Sequence, residues 1–600
     1  MAEVRTADGT KIYQLKQWLG LNESPDGDTA LKLGEAAAMR NFRITREGHL
    51  QVRPGYASVC TLAQNASVRG LWSGYVNGQN HLLAACGGHV WDVDRGTGLE
   101  SAHAGAWTAR DLGEIDDEET FFFGFAQKVY LLTGQEYYHW DGAGDVETVE
   151  GYVPIVTTAA PPAGGGTLLE RVNLLTGKRR GVYSPDGTST VFRLPESGID
   201  EVLSVEGAGP GWTADLEAGT VTFAAAPPPG VNTVTITWRK GTGDRTRVTA
   251  MRWAEFYNGS TDARVFLYGD GTNEAVYSDL DENGQPTAEY FPEMNVMAVD
   301  TANTPITAMI RHYDRLLVFK SDSAYSARYD AMSLETGAVT AAFYTVPLNR
   351  VLGCAAPGQA RLVRNDPRTL FGRSVYAWAL ASGAARDERN ARRISDRVEN
   401  TLGGFDLAAC TTFDDEQRQE YYIQYGDRAL IHNYGNDTWY FYDHFPARCM
   451  VGVEGELYFG TQDGRLMHVS RQYRNDDLKS IDAYWESGAL DFERDWQRKY
   501  STEIWVSIKP ESQGRLTVTA QSNRRSRYVE KEAAAGLSAL ANADFAHWSF
   551  RTNRKPQVQR VRLKVRKFTF YKLILKSCSA SATATVLAAD FRVRYAAKVR

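Results

Sequence analysis

Three oxygen-bearing side chains with the spacing of a calcium-binding loop lie between residues 279 and 284. Asp279, Asp281 and Asn283 take the first, third and fifth positions, and Gly284 takes the sixth, where such a loop turns sharply. The twelfth position is Tyr290 instead of the usual bidentate glutamate. Because Asn-Gly between two strands also favours a hairpin turn, we predict a hairpin here, with calcium as the alternative. No other metal or cofactor is predicted.

The motifs of the common catalytic centres are missing from the sequence. There is no Gly-x-Ser-x-Gly, no His-Glu-x-x-His, no spaced Cys/His quartet and no phosphate-binding Walker loop. Residues 24–27 and 184–187 are similar to the Asp boxes of sialidase-type proteins, but their glycine comes one position early, and we interpret them as β-turns. A facing pair of carboxylates, as in a glycosidase, stays open because the chain has 73 acidic residues. We predict that the protein is not an enzyme.

The C-terminal part of the chain is strongly basic. Residues 485–600 contain 23 Lys/Arg and 10 Asp/Glu, a net charge of +13, which leaves −19 for residues 1–484. Strict alternation over residues 561–566 predicts a strand with aliphatic side chains inward and cations outward. A solvated face, a protein-docking face and a phosphate-binding face are the alternatives. The candidate interaction residues are Arg524, Arg525, Arg527, Arg560, Arg562, Lys564, Arg566 and Lys567.

The elements that position these residues follow a repeat. Pairs of apolar strands that end in an aromatic or histidine recur near residues 91, 138, 277, 326, 377, 432 and 467, at spacings of 47, 139, 49, 51, 55 and 35. A period of 40–50 residues, with one small antiparallel sheet per repeat, is typical of a β-propeller blade. The sequence therefore predicts an all-β protein with about seven propeller blades.

The long gap in the repeat corresponds to one period plus an insertion of about 90 residues. We expect an N-terminal strand and the first blades in residues 1–150, an inserted β-sandwich in 151–247, the remaining blades in 248–478 and a basic C-terminal β-sandwich in 479–600. The short last spacing predicts that the N-terminus supplies the outer strand of the last blade, which removes an open sheet edge. Short helices are predicted at residues 34–39 and near 533–543.

The overall composition narrows the class of protein. The chain has no run of about 18 apolar residues, so we predict no stable membrane insertion. Its six cysteines form no Cys-x-x-Cys pair, which favours free thiols in a reducing compartment. The N-terminus has no apolar stretch typical of a secretory signal.

Two sets of short motifs carry a family resemblance. Residues 39–44 (MRNFRI) and 48–55 (GHLQVRPG) form the first, and residues 393–399 (RISDRVE), 420–423 (EYYI) and 433–440 (NYGNDTWY) form the second. Together they resemble propeller proteins of tailed-bacteriophage virions, such as packaged-DNA stabilisation proteins and tail hub or nozzle proteins. The resemblance spans about residues 40–480 and concerns architecture, with no catalytic residues to transfer.

This resemblance implies a structural subunit of a phage neck or tail. It would assemble with other neck and tail proteins into a homo-oligomeric ring, a hexamer being favoured, in the host cytoplasm during assembly and then in the virion. The ring would continue the channel for double-stranded DNA, without sequence recognition, and help to retain and release the genome. The acidic balance of residues 1–484 fits a lumen that repels phosphate. The alternatives are a tail-tip propeller that binds or degrades host glycans and an intracellular scaffold.

Overall fold

The chain is described here by a computed structural model that covers residues 3–5, 10–23, 31–95, 107–333, 339–378, 391–510, 514–526, 528–535 and 556–598. Most of these residues lie in β-strands, which confirms the all-β prediction. The helical segments among them are single turns: Thr246–Thr249, Asp396–Val398, Glu399–Gly403 and Leu407–Ala409. No helix in the described ranges is long and apolar enough to span a membrane. All six cysteines are unpaired, as predicted.

Six separate antiparallel sheets of four strands each, and a seventh four-stranded group that is part of an 11-stranded sheet, account for much of the described chain, and we number all seven in chain order. Sheet 1 consists of Val68–Val76, Gln79–Cys86, His89–Asp94 and Thr108–Glu114, and sheet 2 of Phe121–Phe125, Lys128–Leu132, Tyr137–Trp140 and Glu147–Thr148. Sheet 3 consists of Trp253–Asn258, Thr261–Tyr268, Glu274–Tyr277 and Val296–Ala298, and sheet 4 of Ile306–His312, Arg315–Lys320, Ala324–Ser333 and Val339–Asn349. Sheet 5 consists of Arg361–Val363, Asp366–Phe371, Ser374–Trp378 and Ala391–Arg393, and sheet 6 of Thr411–Asp415, Glu420–Tyr425, Arg428–Asn433 and Thr438–Tyr442.

Sheet 7 takes its strands from both ends of this region. Cys449–Val453, Glu456–Gly460 and Arg465–Ser470 are consecutive, and the fourth strand is the N-terminal Gly55–Thr61, which pairs antiparallel with Arg465–Ser470. This confirms that an N-terminal strand completes the last sheet. Because Gly55–Thr61 covers its edge, the backbone groups of the third strand are not left open for pairing with another chain.

The seven sheets contact one another through their first strands. The first strand of sheet 1 lies against that of sheet 2, and the contacts continue in chain order through sheets 3, 4, 5, 6 and 7. The first strand of sheet 7 then contacts the first strand of sheet 1. The inner strands of the sheets contain continuous apolar runs. In Leu316–Phe319 of sheet 4, for example, the side chains on both faces are fully buried, as expected for a sheet packed between two neighbouring sheets.

An inserted module interrupts the series between sheets 2 and 3. A five-stranded sheet contains Thr167–Leu168, Ile155–Ala160, Lys178–Tyr183, Val234–Arg239 and Glu201–Glu206, and a three-stranded sheet contains Val191–Arg193, Thr220–Phe223 and Trp212–Asp215. The two sheets share one apolar core, in which Trp238 and Tyr183 of the larger sheet and Phe192 and Phe223 of the smaller one are buried. The module therefore has a core of its own.

A terminal module combines the N-terminal segment up to Val52 with the C-terminal segment that begins at Asn475. One layer contains Glu3–Arg5, Thr10–Leu15, Phe42–Ile44, Leu50–Val52, Gln497–Ile508, Gln557–Val561, Val565–Phe568 and Thr585–Lys598. The other contains Gly20–Leu21, Glu35–Arg40, Asn475–Asp476, Lys479–Ser487, Gly514–Ser522, Lys531–Ala535 and Tyr571–Ser579. The second layer continues into sheet 7, because Asp476 pairs in parallel with Tyr56. The N-terminal segment, which sequence analysis grouped with the first blades, thus pairs with the C-terminal segment.

The helix predicted at residues 34–39 is wrong. Glu35–Arg40 is a strand that pairs antiparallel with Lys479–Ser487 and parallel with Gly20–Leu21. Alanine is the residue with the highest helix propensity, but such local preferences are small, and strand pairing on both edges outweighs them here. Near residue 533 the described part, Lys531–Ala535, is also a strand, and residues 536–543 lie outside the described ranges.

Candidate functional site

The cations predicted along residues 560–567 lie on two short strands at the edge of the terminal module. Gln557–Val561 and Val565–Phe568 both pair with Gln497–Ile508, and a break at residues 562–564 separates them. Alternation persists across the break. Val561, Leu563 and Val565 are buried, whereas Arg562, Lys564, Arg566 and Lys567 are exposed.

Arg560 differs from its neighbours because it belongs to an internal ion pair. Its guanidinium contacts the buried carboxylate of Glu503, whose other oxygen accepts a hydrogen bond from Arg592 at 2.9 Å. Burial by itself would raise the pKa of Glu503, but hydrogen bonds from the two guanidiniums hold it below its usual value. Arg560 therefore stabilises the module through Glu503, although its own side chain is 53% exposed.

Arg524 and Arg525 lie in the turn after the strand Gly514–Ser522, and both are exposed. This turn is tied to the end of the basic strand, since the Thr569 N–H donates to Asn523 Oδ1 at 3.0 Å. The Arg525 guanidinium lies 5.3 Å from the centre of the Tyr528 ring. Arg527 is outside the described residues.

The structure thus brings six predicted cations to one end of the terminal module, and we call this set the basic edge. Within the described ranges, none of the six forms an ion pair with a carboxylate. An uncompensated group of cations attracts anionic surfaces over about a Debye length. The members of the basic edge are Arg524, Arg525, Arg562, Lys564, Arg566 and Lys567.

The calcium-like loop is a turn whose carboxylates are engaged by protein donors. Asp279 Oδ1 accepts a hydrogen bond from Arg264 Nη1 at 2.7 Å. Asp281 Oδ1 accepts from the N–H groups of Asn283 and Gln285, each at 2.8 Å. No cluster of three His, Cys, Asp or Glu side chains suited to a metal ion occurs in the part of the chain that the structure describes.

A cavity of about 220 Å³ lies where the first strands of the seven sheets converge, and we call it the axial cavity. Six of the sheets contribute to its lining, with Arg69, Phe121, Trp253, Arg361, Thr412 and Arg448 among the contributors. Arg448 Nη2 lies 2.9 Å from Glu119 Oε1, and Arg69 Nε lies 3.2 Å from Asp117 Oδ1. The volume is below the 300–1,000 Å³ typical of small-molecule sites, so a nucleic-acid duplex cannot pass through it.

Glu255 lines a separate pocket together with Arg361, which also lines the axial cavity. Burial raises the pKa of Glu255 to about 7, although hydrogen bonds from two backbone N–H groups act in the other direction. The charges of Arg361 and Arg311 oppose this rise in pKa less strongly than burial promotes it. The Arg361 guanidinium donates to the carbonyl oxygens of Thr412, Gly358 and Ala360 at 3.0–3.2 Å. Glu255 is therefore a titratable group in the neutral pH range.

Sequence reasoning missed a buried polar cluster, which we call the clasp: Asn41, Arg53, Asp443, Asp476 and Asp482. Arg53 makes a two-pronged contact with Asp476, at 2.8 Å and 2.5 Å, and donates from Nε to Asn41 Oδ1 at 2.9 Å. The side chains of Arg53 and Asp476 are only 1% and 4% exposed. Asn41 in turn donates to the carbonyl of Asp482 at 2.9 Å and accepts from the N–H of Asp443 at 3.1 Å.

The clasp joins three parts of the molecule. Asn41 and Arg53 flank the N-terminal hairpin of Phe42–Ile44 and Leu50–Val52, Asp443 follows the last strand of sheet 6, and Asp476 and Asp482 belong to the second layer of the terminal module. Asn41 and Arg53 are also two of the polar residues in the motifs at 39–44 and 48–55, from which the sequence resemblance is drawn. Those motifs were the available signal, but their three acidic partners lie in the C-terminal third of the sequence.

Comparisons with known proteins do not identify the chain. No protein-family model matches it, and no curated protein matches it. The computationally designed Ika8 protein is 9% identical over 69% of this chain and 99% of its own, with a TM-score of 0.30. An exo-β-1,3-galactanase from Phanerochaete chrysosporium, solved with galactose, is 11% identical over 80% of this chain and 96% of its own, with a TM-score of 0.17. Similarities this low bear on neither fold family nor activity.

Proposed function

We propose that the seven four-stranded sheets are the blades of a closed seven-bladed β-propeller. The series of first-strand contacts that returns from sheet 7 to sheet 1 supports this proposal. The pairing of N-terminal Gly55–Thr61 with sheet 7 supports it further, because such a strand joins the two ends of the series. In this proposal the inserted and terminal modules are β-sandwiches, each with two sheets around an apolar core.

For function, we propose a non-enzymatic structural subunit of a tailed-phage neck or tail, of the hub or nozzle type. The observation that carries the proposal is the clasp. The residues behind the phage resemblance, Asn41 and Arg53, lie buried where propeller, N-terminal hairpin and terminal module meet. The motif is therefore an architectural element that fixes the units into one rigid building block, as a particle component under mechanical force requires.

In this proposal, copies of the chain form a homo-oligomeric ring, favoured as a hexamer, with other neck and tail proteins. Double-stranded DNA would pass through the ring between subunits, because the axial cavity of about 220 Å³ is far too small. The basic edge would dock onto an acidic surface of a neighbouring protein, leaving the acidic remainder of the subunit for the lumen.

The experiment is to measure the mass of the purified chain by light scattering and to image the oligomers by electron microscopy. We expect rings of one symmetry that dissociate with added salt, and that are lost in the Arg562→Glu, Lys564→Glu, Arg566→Glu variant. Arg193→Glu, a reversal on the inserted module, is the control and should leave the rings intact. The proposed ring is refuted if the protein stays monomeric at every concentration in solution and is also found as single copies on purified particles.

A glycan-binding propeller is the second candidate, and one observation favours it. Trp253 and Phe121 line the axial cavity beside Glu119 and several arginines, and aromatic faces with nearby polar groups are the usual lining of a small-ligand site. Reducing ends released from a surface polysaccharide would indicate hydrolysis, and binding without release would indicate an adhesin.

A further inference from the structure

A second cavity, of about 200 Å³, lies where the N-terminal hairpin meets the ends of sheets 6 and 7. Its lining comes from three places: the turn after Phe42–Ile44, the two strand connections of sheet 6, and the residue that follows the last strand of sheet 7. We call it the junction pocket. Among its lining residues are Arg43, Arg46, Arg418, Glu420, Asn436 and Arg471.

Four guanidiniums and a single carboxylate therefore line the junction pocket. That carboxylate, Glu420, is buried. Its two oxygens accept hydrogen bonds from the hydroxyls of Tyr422 at 2.6 Å and Tyr440 at 2.5 Å, and Arg43 Nη1 lies 3.6 Å away. Glu420 supplies one negative charge, which acts on Arg43, Arg418 and Arg471 alike.

Two of the four guanidiniums have protein partners. Arg43 is buried, and its Nε and Nη2 donate to Gln51 Oε1 at 3.1 Å and 2.9 Å. Arg418 lies 3.4 Å from Asp415 and 3.0 Å from Glu456. These contacts fix both side chains at the wall of the pocket.

Arg46 and Arg471 complete the rim, and neither forms an ion pair with a described carboxylate. The positive charge of Arg43, followed by burial and by the charge of Arg418, lowers the pKa of Arg471. Glu420 and Glu47 oppose this shift less strongly. Arg43 and Arg418 thus have carboxylate partners, whereas the exposed Arg46 and Arg471 bring further positive charge to the pocket without an ion-pair partner among the described residues.

We propose that the junction pocket is a binding site for a tetrahedral dianion, phosphate or sulfate. Arginine presents planar pairs of N–H donors that match the oxygens of such an ion, and charge-assisted hydrogen bonds of this kind are the strong ones. A dianion removes the repulsion among Arg43, Arg418 and Arg471 and supplies the partner that Arg46 and Arg471 lack. It also links the N-terminal hairpin to sheets 6 and 7.

The test titrates inorganic phosphate, and separately sulfate, into the full chain at constant ionic strength set with chloride. Melting temperature and isothermal titration calorimetry are the measurements. We expect saturable binding at millimolar phosphate or below, with a rise in melting temperature, and no saturable response to acetate. Arg46→Gln and Arg471→Gln should each weaken phosphate at least 10-fold.

The variants also separate a specific site from general salt effects, since phosphate and sulfate stabilise many proteins at high concentration. Without phosphate, Arg471→Gln should melt at the wild-type temperature or higher, because it removes a repelled charge. Arg110→Gln, an exposed arginine of sheet 1, is the matched control and should retain wild-type binding. An equal response in all four proteins, or no saturable response in the wild type, would overturn the proposal.

Discussion

Breaking the ion pair of the clasp should destabilise the protein far more than breaking a neighbouring exposed pair. Arg53→Met leaves the Asp476 carboxylate buried without a cation, a loss of about 3–5 kcal/mol. It also removes the donors to Asn41 and to the carbonyls of Pro54 and Asp443. For a unit of 150–250 residues, 1 kcal/mol corresponds to a shift of about 2–4 °C, so we expect the affected transition to fall by about 10 °C.

The matched control is Arg40→Gln. Arg40 contacts the clasp residues Asp443 and Asp482 at the exposed side of the cluster, where the side chains of Arg40 and Asp482 are 42% and 49% exposed. Such exposed pairs contribute at most about 1 kcal/mol. Differential scanning calorimetry is the assay, because a protein with several modules need not melt in one step.

A double variant, Arg53→Met with Asp476→Leu, tests the reasoning itself. Burial raises the pKa of Asp476 even though Arg53 opposes the shift, so desolvation outweighs the attraction between the two charges. An apolar pair should therefore restore much of the lost stability. If Arg53→Met costs no more than Arg40→Gln, or if the double variant is as unstable as the sum of the two single changes, the reasoning is refuted.

Three further outcomes are expected. Between about pH 4.5 and 7 the raised pKa of Glu255 makes the folded state bind more protons than the unfolded state, so the free energy of unfolding should fall as pH rises, by at most about 3 kcal/mol. Glu255→Gln should remove this pH dependence in unfolding titrations, and an unchanged dependence contradicts the raised pKa. Gly426 has φ +61° and lies in open space, so Gly426→Ala should lower the free energy of unfolding by about 1 kcal/mol. Gly464 has φ +83°, and a Cβ added there would lie 1.7 Å from the Ala63 carbonyl oxygen, so Gly464→Ala should lower it several times more. Equal melting temperatures of the two variants would argue against the close approach of Gly464 to Ala63. Glu503→Gln replaces the carboxylate shared by two arginines with a neutral amide and should lower the free energy of urea unfolding by about 2 kcal/mol. An unchanged free energy would mean that these ion pairs are not formed.

The sequence predicts where the strands of this fold lie better than it predicts which strands pair with one another. Apolar runs ended by short turns predict the strands of sheets 1–7 because each of these strands, except Gly55–Thr61 in sheet 7, pairs with its neighbour in the chain. The pairing of Thr10–Leu15 with Thr585–Lys598 leaves no local signal, since the two strands lie near opposite ends of the sequence. The prediction for Glu35–Arg40 was wrong for the same reason: its strand state depends on Lys479–Ser487.

In the candidate site, too, local features can be predicted from the sequence, whereas contacts between distant residues cannot. Alternation at residues 561–566 predicts which cations are exposed, because burial on a strand follows a period of two. It does not reveal that Arg560 contacts Glu503, which lies on a neighbouring strand. The junction pocket, likewise, depends on side chains that meet only after the N-terminal hairpin has packed against sheets 6 and 7.

The seventh sheet and the terminal module also set the order in which a newly made chain can finish folding. Gly55–Thr61 must wait for Arg465–Ser470 to be synthesised, and Thr10–Leu15 must wait for Thr585–Lys598. At about 5–20 residues per second, the second wait lasts roughly half a minute to two minutes. Throughout that time Thr10–Leu15 can pair only with the short strand Glu3–Arg5, so a chain that lacks Thr585–Lys598 cannot complete the terminal module.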